Sequence, residues 1–96
     1  MISLDEIRAI VNKRAKEYGA ERVYLFGSYA RGDADETSDI DLRIDKGRIR
    51  GLELARLLAD LEDDFDLPVD LVTTGSLSKS FLEEIGREEE LIYGEE

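Results

Sequence analysis

The sequence reads GSYARG at residues 27–32 and SDIDL at residues 38–42, and these two stretches decide how the chain is organised. The first follows residues 23–26, an almost wholly apolar run that is typical of a strand buried on both faces. A polar loop comes next, and residues 39–45 then alternate strictly between polar and apolar side chains. That alternation predicts a second strand, reached from the first through a turn, a short helix and a loop.

Helical patterns flank these two strands. Ser3 and Glu6 have the spacing of a capping box, and apolar side chains at helical spacing follow them as far as Gly19. A glycine is common just past the end of a helix, so a first helix is predicted before the first strand. A leucine-rich stripe between residues 54 and 65 predicts a second long helix after the second strand.

The C-terminal third of the chain repeats the alternation. Residues 69–72 predict a third strand, and Ser78 is a candidate cap for a last helix. Residues 91–93 form a short apolar end, either a strand or a docked tail. This order predicts an α/β (α+β) fold, in which a small mixed sheet is flanked by helices.

The charge balance excludes several functions. Lysine and arginine total 13 against 24 aspartate and glutamate residues, which gives a net charge of −11. A field this negative repels phosphate backbones and anionic lipids, so direct nucleic-acid binding and membrane association are not expected. The chain has no histidine and no cysteine, which excludes Ser-His-Asp catalysis, thiolate catalysis and the usual zinc sites. Carboxylates, hydroxyls, arginine, lysine and backbone amides remain for catalysis.

Length and the N-terminal sequence bound the organisation. A chain of 96 residues has room for one core, so we expect a single domain over residues 1–96. The N-terminus has no basic region followed by an apolar run, and no signal peptide is expected. No apolar run approaches the ~20 residues of a membrane-spanning helix, and we therefore expect a cytoplasmic protein.

Asp39 and Asp41 are the sharpest chemical feature. Residues two apart on a strand point to the same face, so the two carboxylates can ligate one hard cation or two held close together. Alone, this pattern is more often the exposed polar face of a half-buried strand. Gly27 and Ser28, however, open a turn where backbone N–H groups and a hydroxyl can hold a phosphate. Ten residues separate Ser28 from Asp39, and the combination predicts a nucleoside triphosphate site.

The combined motif resembles the signature of the polymerase-β-like nucleotidyltransferases. Its GSYARG form and the short chain are similar to the minimal nucleotidyltransferase (MNT) group, and the resemblance covers nearly the whole sequence. It implies the polymerase-β-like core, with Gly27 and Ser28 at the nucleotide phosphates. It also implies that Asp39 and Asp41 hold two Mg²⁺ ions.

The resemblance implies a third carboxylate on a later strand, which completes the metal site and helps to deprotonate the acceptor hydroxyl. Asp70 fits best, because apolar residues flank it as they flank Asp41. Asp66 competes, although its acidic surroundings favour a solvated helix end.

Two arginines are further candidates for phosphate contacts. The planar guanidinium of Arg31 suits triphosphate oxygens, with a salt bridge as an equally weighted alternative. Arg43 shares the strand face of Asp41, but an ion pair is its more common role. The candidate ion-pair partners are Asp33, Asp35 and Asp39 for the first arginine, and Asp45 and Asp70 for the second.

The resemblance implies an enzyme that transfers AMP from ATP to a hydroxyl in the presence of Mg²⁺. The minimal group is commonly paired with a HEPN-domain ribonuclease toxin, so the implied acceptor is a tyrosine of that toxin and the implied role is antitoxin. Two alternatives stay open: a non-catalytic module that neutralises its partner by binding, and a nucleotidyltransferase that acts on a small molecule.

Overall fold

The computed structural model describes residues 1–95 and alternates helices with strands. The elements are α1 Leu4–Tyr18, β1 Arg22–Phe26, α2 Gly27–Arg31, β2 Ile40–Asp45, α3 Glu53–Phe65, β3 Val69–Thr73, a 3₁₀ turn Thr74–Ser76, α4 Lys79–Ile85 and β4 Glu90–Tyr93. The predicted order of helices and strands is confirmed, and the apolar end of the chain forms a fourth strand. None of the helices within residues 1–95 combines the length and apolarity that crossing a membrane requires.

The four strands form one sheet in the order β3-β2-β1-β4. Strand β1 is antiparallel to both of its neighbours, whereas β2 and β3 are parallel. The predicted mixed sheet is therefore confirmed. The parallel pair needs a crossover, and α3 supplies it between β2 and β3.

Helices α1 and α3 cover one face of the sheet. Their buried side chains join those of the central strands in one core, which includes Val11, Leu57, Leu61, Leu25 and Leu42. Burying such a side chain contributes roughly 1.5–3 kcal/mol, so this layer is the main source of stability.

Strand β2 is held most firmly. Ile40, Leu42 and Ile44 are each at most 1 % exposed, all on the face that the two long helices cover. Because side chains alternate along a strand, Asp41 then points to the opposite face. The core thus fixes the backbone that carries this carboxylate.

The predicted helix ends are confirmed. Ser3 and Glu6 form a reciprocal capping box on α1, and Gly19 ends that helix with a φ of 82°. Ser78 accepts a hydrogen bond from the Phe81 N–H and so caps α4. Asp66, the competing third acid, ends α3 in the left-handed conformation and is exposed, as a solvated helix end should be.

Candidate active site

The segments singled out in the sequence meet at one end of the sheet. Because β1 and β2 are antiparallel, Phe26 at the end of β1 lies opposite Asp41 near the start of β2. Because β2 and β3 are parallel, Asp41 in turn lies beside Asp70. Gly27 and Ser28 continue directly from Phe26 into α2. The turn at Gly27 and Ser28 and the two carboxylates are therefore neighbours, as the motif predicts.

Gly27 lies directly against the Asp41 carboxylate. Its φ is +74°, a backbone conformation that other residues adopt only with strain. A Cβ added at this position would overlap the Asp41 Oδ2 atom and lie 2.9 Å from the carboxyl carbon. Glycine is thus required for two reasons, conformation and space, and both arise from the approach of the turn to Asp41.

The Asp41 carboxyl group is perturbed by its surroundings. Burial raises its pKa to about 6, and the negative charges of Asp70 and Asp39 act in the same direction. The guanidinium of Arg31 opposes this shift, and Glu88 adds to it. This end of the sheet therefore holds an excess of negative charge, which a divalent cation would neutralise.

The carboxylates have the donor chemistry for Mg²⁺. Magnesium prefers oxygen ligands and commonly takes one or two carboxylates, with substrate phosphates and water completing its shell. Within residues 1–95, no three acidic side chains lie close enough as placed to enclose a cation on their own. Asp41 and Asp70 nonetheless share a register position on neighbouring strands, which fits the two-carboxylate arrangement.

The raised pKa of Asp41 predicts a pH effect on the metal-free protein. A carboxyl group with a folded pKa of about 6 and an ordinary unfolded value near ~3.9 binds more protons when folded. The protonated carboxyl group therefore contributes to folding stability at low pH, and this contribution is lost as the pH rises from the unfolded pKa through the folded pKa. We expect Asp41→Asn to melt above the parent at pH 7 in EDTA, with the two melting temperatures converging towards pH 4. A melting-temperature difference that stays constant across the range would contradict the assignment.

Arg31 has two acidic partners. Its Nε donates to Asp33 Oδ2 at 3.2 Å, and its Nη1 donates to Glu88 Oε1 at 3.3 Å. The predicted ion pair with Asp33 is confirmed, whereas Glu88 was not among the candidates. The side chain is 47 % exposed, so Arg31 can exchange these partners for a phosphate. That contact stays a prediction.

Arg43 is occupied elsewhere on this face of the sheet. Its Nε and Nη2 donate to the two carboxylate oxygens of Glu89 at 3.0 and 2.7 Å, and its Nη1 donates to Thr74 at 2.8 Å. The guanidinium also stacks 3.9 Å from the centre of the Tyr24 ring. Of its candidate partners, Asp45 is confirmed at 3.8 Å. Arg43 thus stabilises the fold, and its donors are engaged away from the turn at Gly27 and Ser28.

Glu88 is the site residue that the sequence did not reveal. The Gly27 N–H, assigned to phosphate binding, donates to Glu88 Oε1 at 3.1 Å. Strand β4 pairs with β1 so that Glu90 lies opposite Leu25, which brings the residues just before β4 level with the start of α2. The run of three glutamates at residues 88–90 is the only signal in the sequence, and it is equally typical of a solvated surface.

A concave region lies at the opposite end of the sheet from the motif. It has a volume of about 460 Å³, and Arg22, Asp45 and Thr74 contribute to its lining. These groups are already paired, since Arg22 donates to Asp45 at 2.8 Å and Thr74 donates to the same carboxylate. The region therefore offers few unpaired groups to a ligand, and the motif end of the sheet is the better candidate.

The family model described as "Polymerase beta, Nucleotidyltransferase" matches residues 6–96. The chain belongs to this nucleotidyltransferase family. The resemblance seen in the motif and the predicted fold are both confirmed by this match, which spans almost the whole sequence.

Relatives of this nucleotidyltransferase carry a more specific name. A Methanocaldococcus jannaschii protein, MJ0126, provisionally named a protein adenylyltransferase, is 40% identical over 98 residues, which cover 97% of this chain and 99% of the relative. The protein adenylyltransferase MntA of Thermococcus cleftensis is 37% identical over 93 residues, covering 92% of this chain and 94% of that one. The nucleotidyltransferase thus matches these relatives over nearly their full length.

Solved structures agree with the fold. A structure provisionally described as a minimal nucleotidyltransferase superimposes with a TM-score of 0.79 at 34% identity, covering 93% of this chain and 95% of that one. A crystal structure of a toxin–antitoxin with AMP-PNP contains a chain with a TM-score of 0.77 at 26% identity, covering 97% of this chain and 76% of that one. This nucleotidyltransferase therefore has the fold of the minimal form of the family core.

Proposed function

We propose that this nucleotidyltransferase transfers AMP from ATP to a tyrosine hydroxyl of a HEPN-domain toxin, and so acts as its antitoxin. The observation that carries the proposal is the Gly27 turn packed on the Asp41 carboxylate, with Asp70 beside it on the next strand. The full-length match to relatives named protein adenylyltransferases supports a protein as the acceptor.

The triphosphate would bind along the turn that opens α2. The Gly27 N–H and the Ser28 hydroxyl offer hydrogen-bond donors, and Arg31 offers a partly exposed guanidinium beside them. Hydrogen bonds from charged donors to phosphate oxygens are the stronger kind, and a planar guanidinium can donate two at once. These groups would hold the triphosphate beside the Asp41 carboxylate, against which Gly27 lies.

Asp39, Asp41 and Asp70 would hold the metal, which we expect to be two Mg²⁺ ions. When bound, the cations supply charge neutralisation for the triphosphate and polarise the α-phosphate. Burial raises the pKa of Asp41, and the negative charges of Asp70 and Asp39 add to the shift; this excess of negative charge supports the fit. The buried apolar side of β2 keeps the Asp41 backbone in place as the charge of the site changes.

We assign Asp70 to the acceptor step. Its side chain is exposed at the edge of the site, whereas Asp41 is half-buried beneath the turn. In the reaction the acceptor oxygen forms a bond to the α-phosphorus, the bond to the β-phosphate oxygen breaks and pyrophosphate leaves. We assign the hydroxyl proton to the Asp70 carboxylate, from which it passes to water.

The partner is proposed from charge and from the solved toxin–antitoxin. A net charge of −11 complements a basic, RNA-cleaving protein and would steer the encounter. The toxin–antitoxin with AMP-PNP, which shares this fold, supports both the antitoxin role and an adenine nucleotide as the substrate.

The direct test is an incubation of the purified chain with labelled ATP, Mg²⁺ and a HEPN-domain toxin encoded beside it. We expect label on the toxin, an added AMP on a tyrosine by mass spectrometry, and loss of ribonuclease activity. Neutralisation without added nucleotide would instead establish the non-catalytic antitoxin. Transfer to a small molecule but not to the toxin would favour the third alternative.

Ser28→Ala should weaken nucleotide binding without unfolding the chain. Loss of one hydrogen bond to a charged group costs ~1.5–3 kcal/mol, which corresponds to a dissociation constant roughly 10- to 150-fold higher. Isothermal titration with AMP-PNP and Mg²⁺ measures it, and Ser80→Ala, at an exposed position on α4, is the matched control. An unchanged affinity together with a lower melting temperature would make Ser28 a structural turn residue.

A further inference from the structure

The side chain of Glu88 lies on the groups that the proposed function assigns to the triphosphate. Its Oε1 atom accepts the Gly27 N–H at 3.1 Å and the Arg31 Nη1 at 3.3 Å. Its Oε2 atom lies 3.4 Å from the same guanidinium nitrogen. A carboxylate is an acceptor with two oxygens, as a phosphate group is, so Glu88 makes the contacts that a phosphate would make.

The segment that carries Glu88 is anchored independently of this contact. The next residue, Glu89, makes a two-pronged ion pair with Arg43, which is only 10 % exposed. The backbone N–H groups of Glu88 and Glu89 both donate to the Ile85 carbonyl, at 3.0 and 2.8 Å. The backbone before β4 is therefore fixed, while the Glu88 side chain can rotate away on its flexible stem.

We propose, building on the function above, that Glu88 competes with the nucleotide triphosphate for the Gly27 N–H and Arg31, and thereby sets nucleotide affinity. One N–H cannot donate fully to the carboxylate and to a phosphate oxygen at the same time. The triphosphate binds by displacing Glu88, and Arg31 exchanges its contact with Glu88 for a contact with the triphosphate. Because one charge-assisted contact within the protein is lost on binding, the nucleotide affinity is lower than it would be without Glu88.

Removing the competing charge should therefore tighten binding. In Glu88→Gln the side-chain amide remains a neutral acceptor for the Gly27 N–H, so the local fold has a partner, but its hold on Arg31 is weaker. We expect the dissociation constant for AMP-PNP with Mg²⁺ to fall about ten-fold, the equivalent of one partly exposed charged contact. Glu88→Ala removes the acceptor completely and should tighten binding at least as much.

Glu84→Gln is the matched control, because it removes the same charge from an exposed position on the same stretch of chain. We expect its affinity to stay within about two-fold of the parent, since surface charges are screened by salt. Equal tightening in Glu84→Gln and Glu88→Gln would show a general charge effect and overturn the competition.

A double-mutant cycle with Arg31→Ala tests the contact itself. If Glu88 acts by occupying Arg31, the gain from Glu88→Gln should shrink several-fold in the Arg31→Ala background. The proposal is overturned if the effects of Glu88→Gln and Arg31→Ala on affinity are fully additive. It is also overturned if both Glu88 variants bind the nucleotide more weakly than the parent, a result that would make Glu88 a ligand-binding group. If the parent protein binds AMP-PNP with Mg²⁺ at the motif and neither Glu88 variant binds it more tightly, the competition is refuted but the proposed function is not. If parent and Glu88 variants all fail to bind it, the proposed function fails as well.

Discussion

Replacing Asp39 and Asp41 together by asparagine is expected to abolish AMP transfer, with a loss of at least about 10³-fold in rate. The reason is that the proposed cations would contribute several kcal/mol of transition-state stabilisation, and each 1.36 kcal/mol is a factor of ten. Asparagine keeps the shape and one oxygen of each side chain but removes both charges. Transfer is measured as AMP added to the toxin, and Mg²⁺ binding is measured by titration with AMP-PNP present.

The matched control for this variant is Asp63→Asn with Asp66→Asn. It removes two charges from exposed positions at the end of α3, and asparagine tolerates the left-handed conformation of residue 66. We expect parental transfer from the control and an intact fold in both variants. If the Asp39 and Asp41 variant binds metal and nucleotide as well as the parent does, the site assignment is refuted. If the parent chain itself binds the toxin but transfers no AMP to it, the non-catalytic antitoxin is favoured.

The motif and its setting could be predicted because both depend on local patterns. A strictly alternating strand places Asp41 opposite a buried apolar side, and the structure confirms this with Leu42 and Ile44 in the core. An apolar run that ends in a glycine predicts a buried strand leading into a turn, and Gly27 shows why that glycine is needed. Local pattern therefore placed the groups that carry the proposed chemistry.

The contacts of Glu88 and Glu89 with the candidate site and with Arg43 could not be predicted, because they depend on long-range pairing. Glu88 and Glu89 reach the sheet only because β4 pairs antiparallel with β1, more than sixty residues away in sequence. An acidic run before a short apolar end is equally compatible with a docked tail. The ion-pairing role of Arg43 is predicted from the sequence, but its main partner, Glu89, could not be predicted for the same reason.

Mixed strand polarity explains why the site lies at this end of the sheet. The antiparallel pairing of β1 with β2 brings the end of one strand to the start of the next, and the parallel β3 adds its own start beside them. A turn that follows β1 and carboxylates that open β2 and β3 can meet only there. The charged groups thus converge although each is placed by a different segment of the chain.

Asp70→Asn should slow AMP transfer by ~10²–10⁴-fold while ATP binding stays largely intact, because a positioned proton acceptor contributes about that much to rate. Asp70 is exposed beside the half-buried Asp41, and for this reason we assign the incoming hydroxyl to Asp70. Single-turnover transfer to the toxin measures the chemical step, and titration with AMP-PNP and Mg²⁺ measures binding.

Asp66→Asn is the comparison that separates the two candidate acids. Asp66 lies at the end of α3, four residues before Asp70, and faces solvent, so we expect its variant to transfer AMP at the parental rate. If Asp70→Asn keeps the parental rate and Asp66→Asn is slow, the third acid is Asp66. If Asp70→Asn loses nucleotide binding and transfer together, the loss is explained by the proposed metal contact of Asp70 alone, and the assignment of the hydroxyl proton to Asp70 is refuted. A loss confined to the chemical step identifies Asp70 as the group that accepts the acceptor's proton.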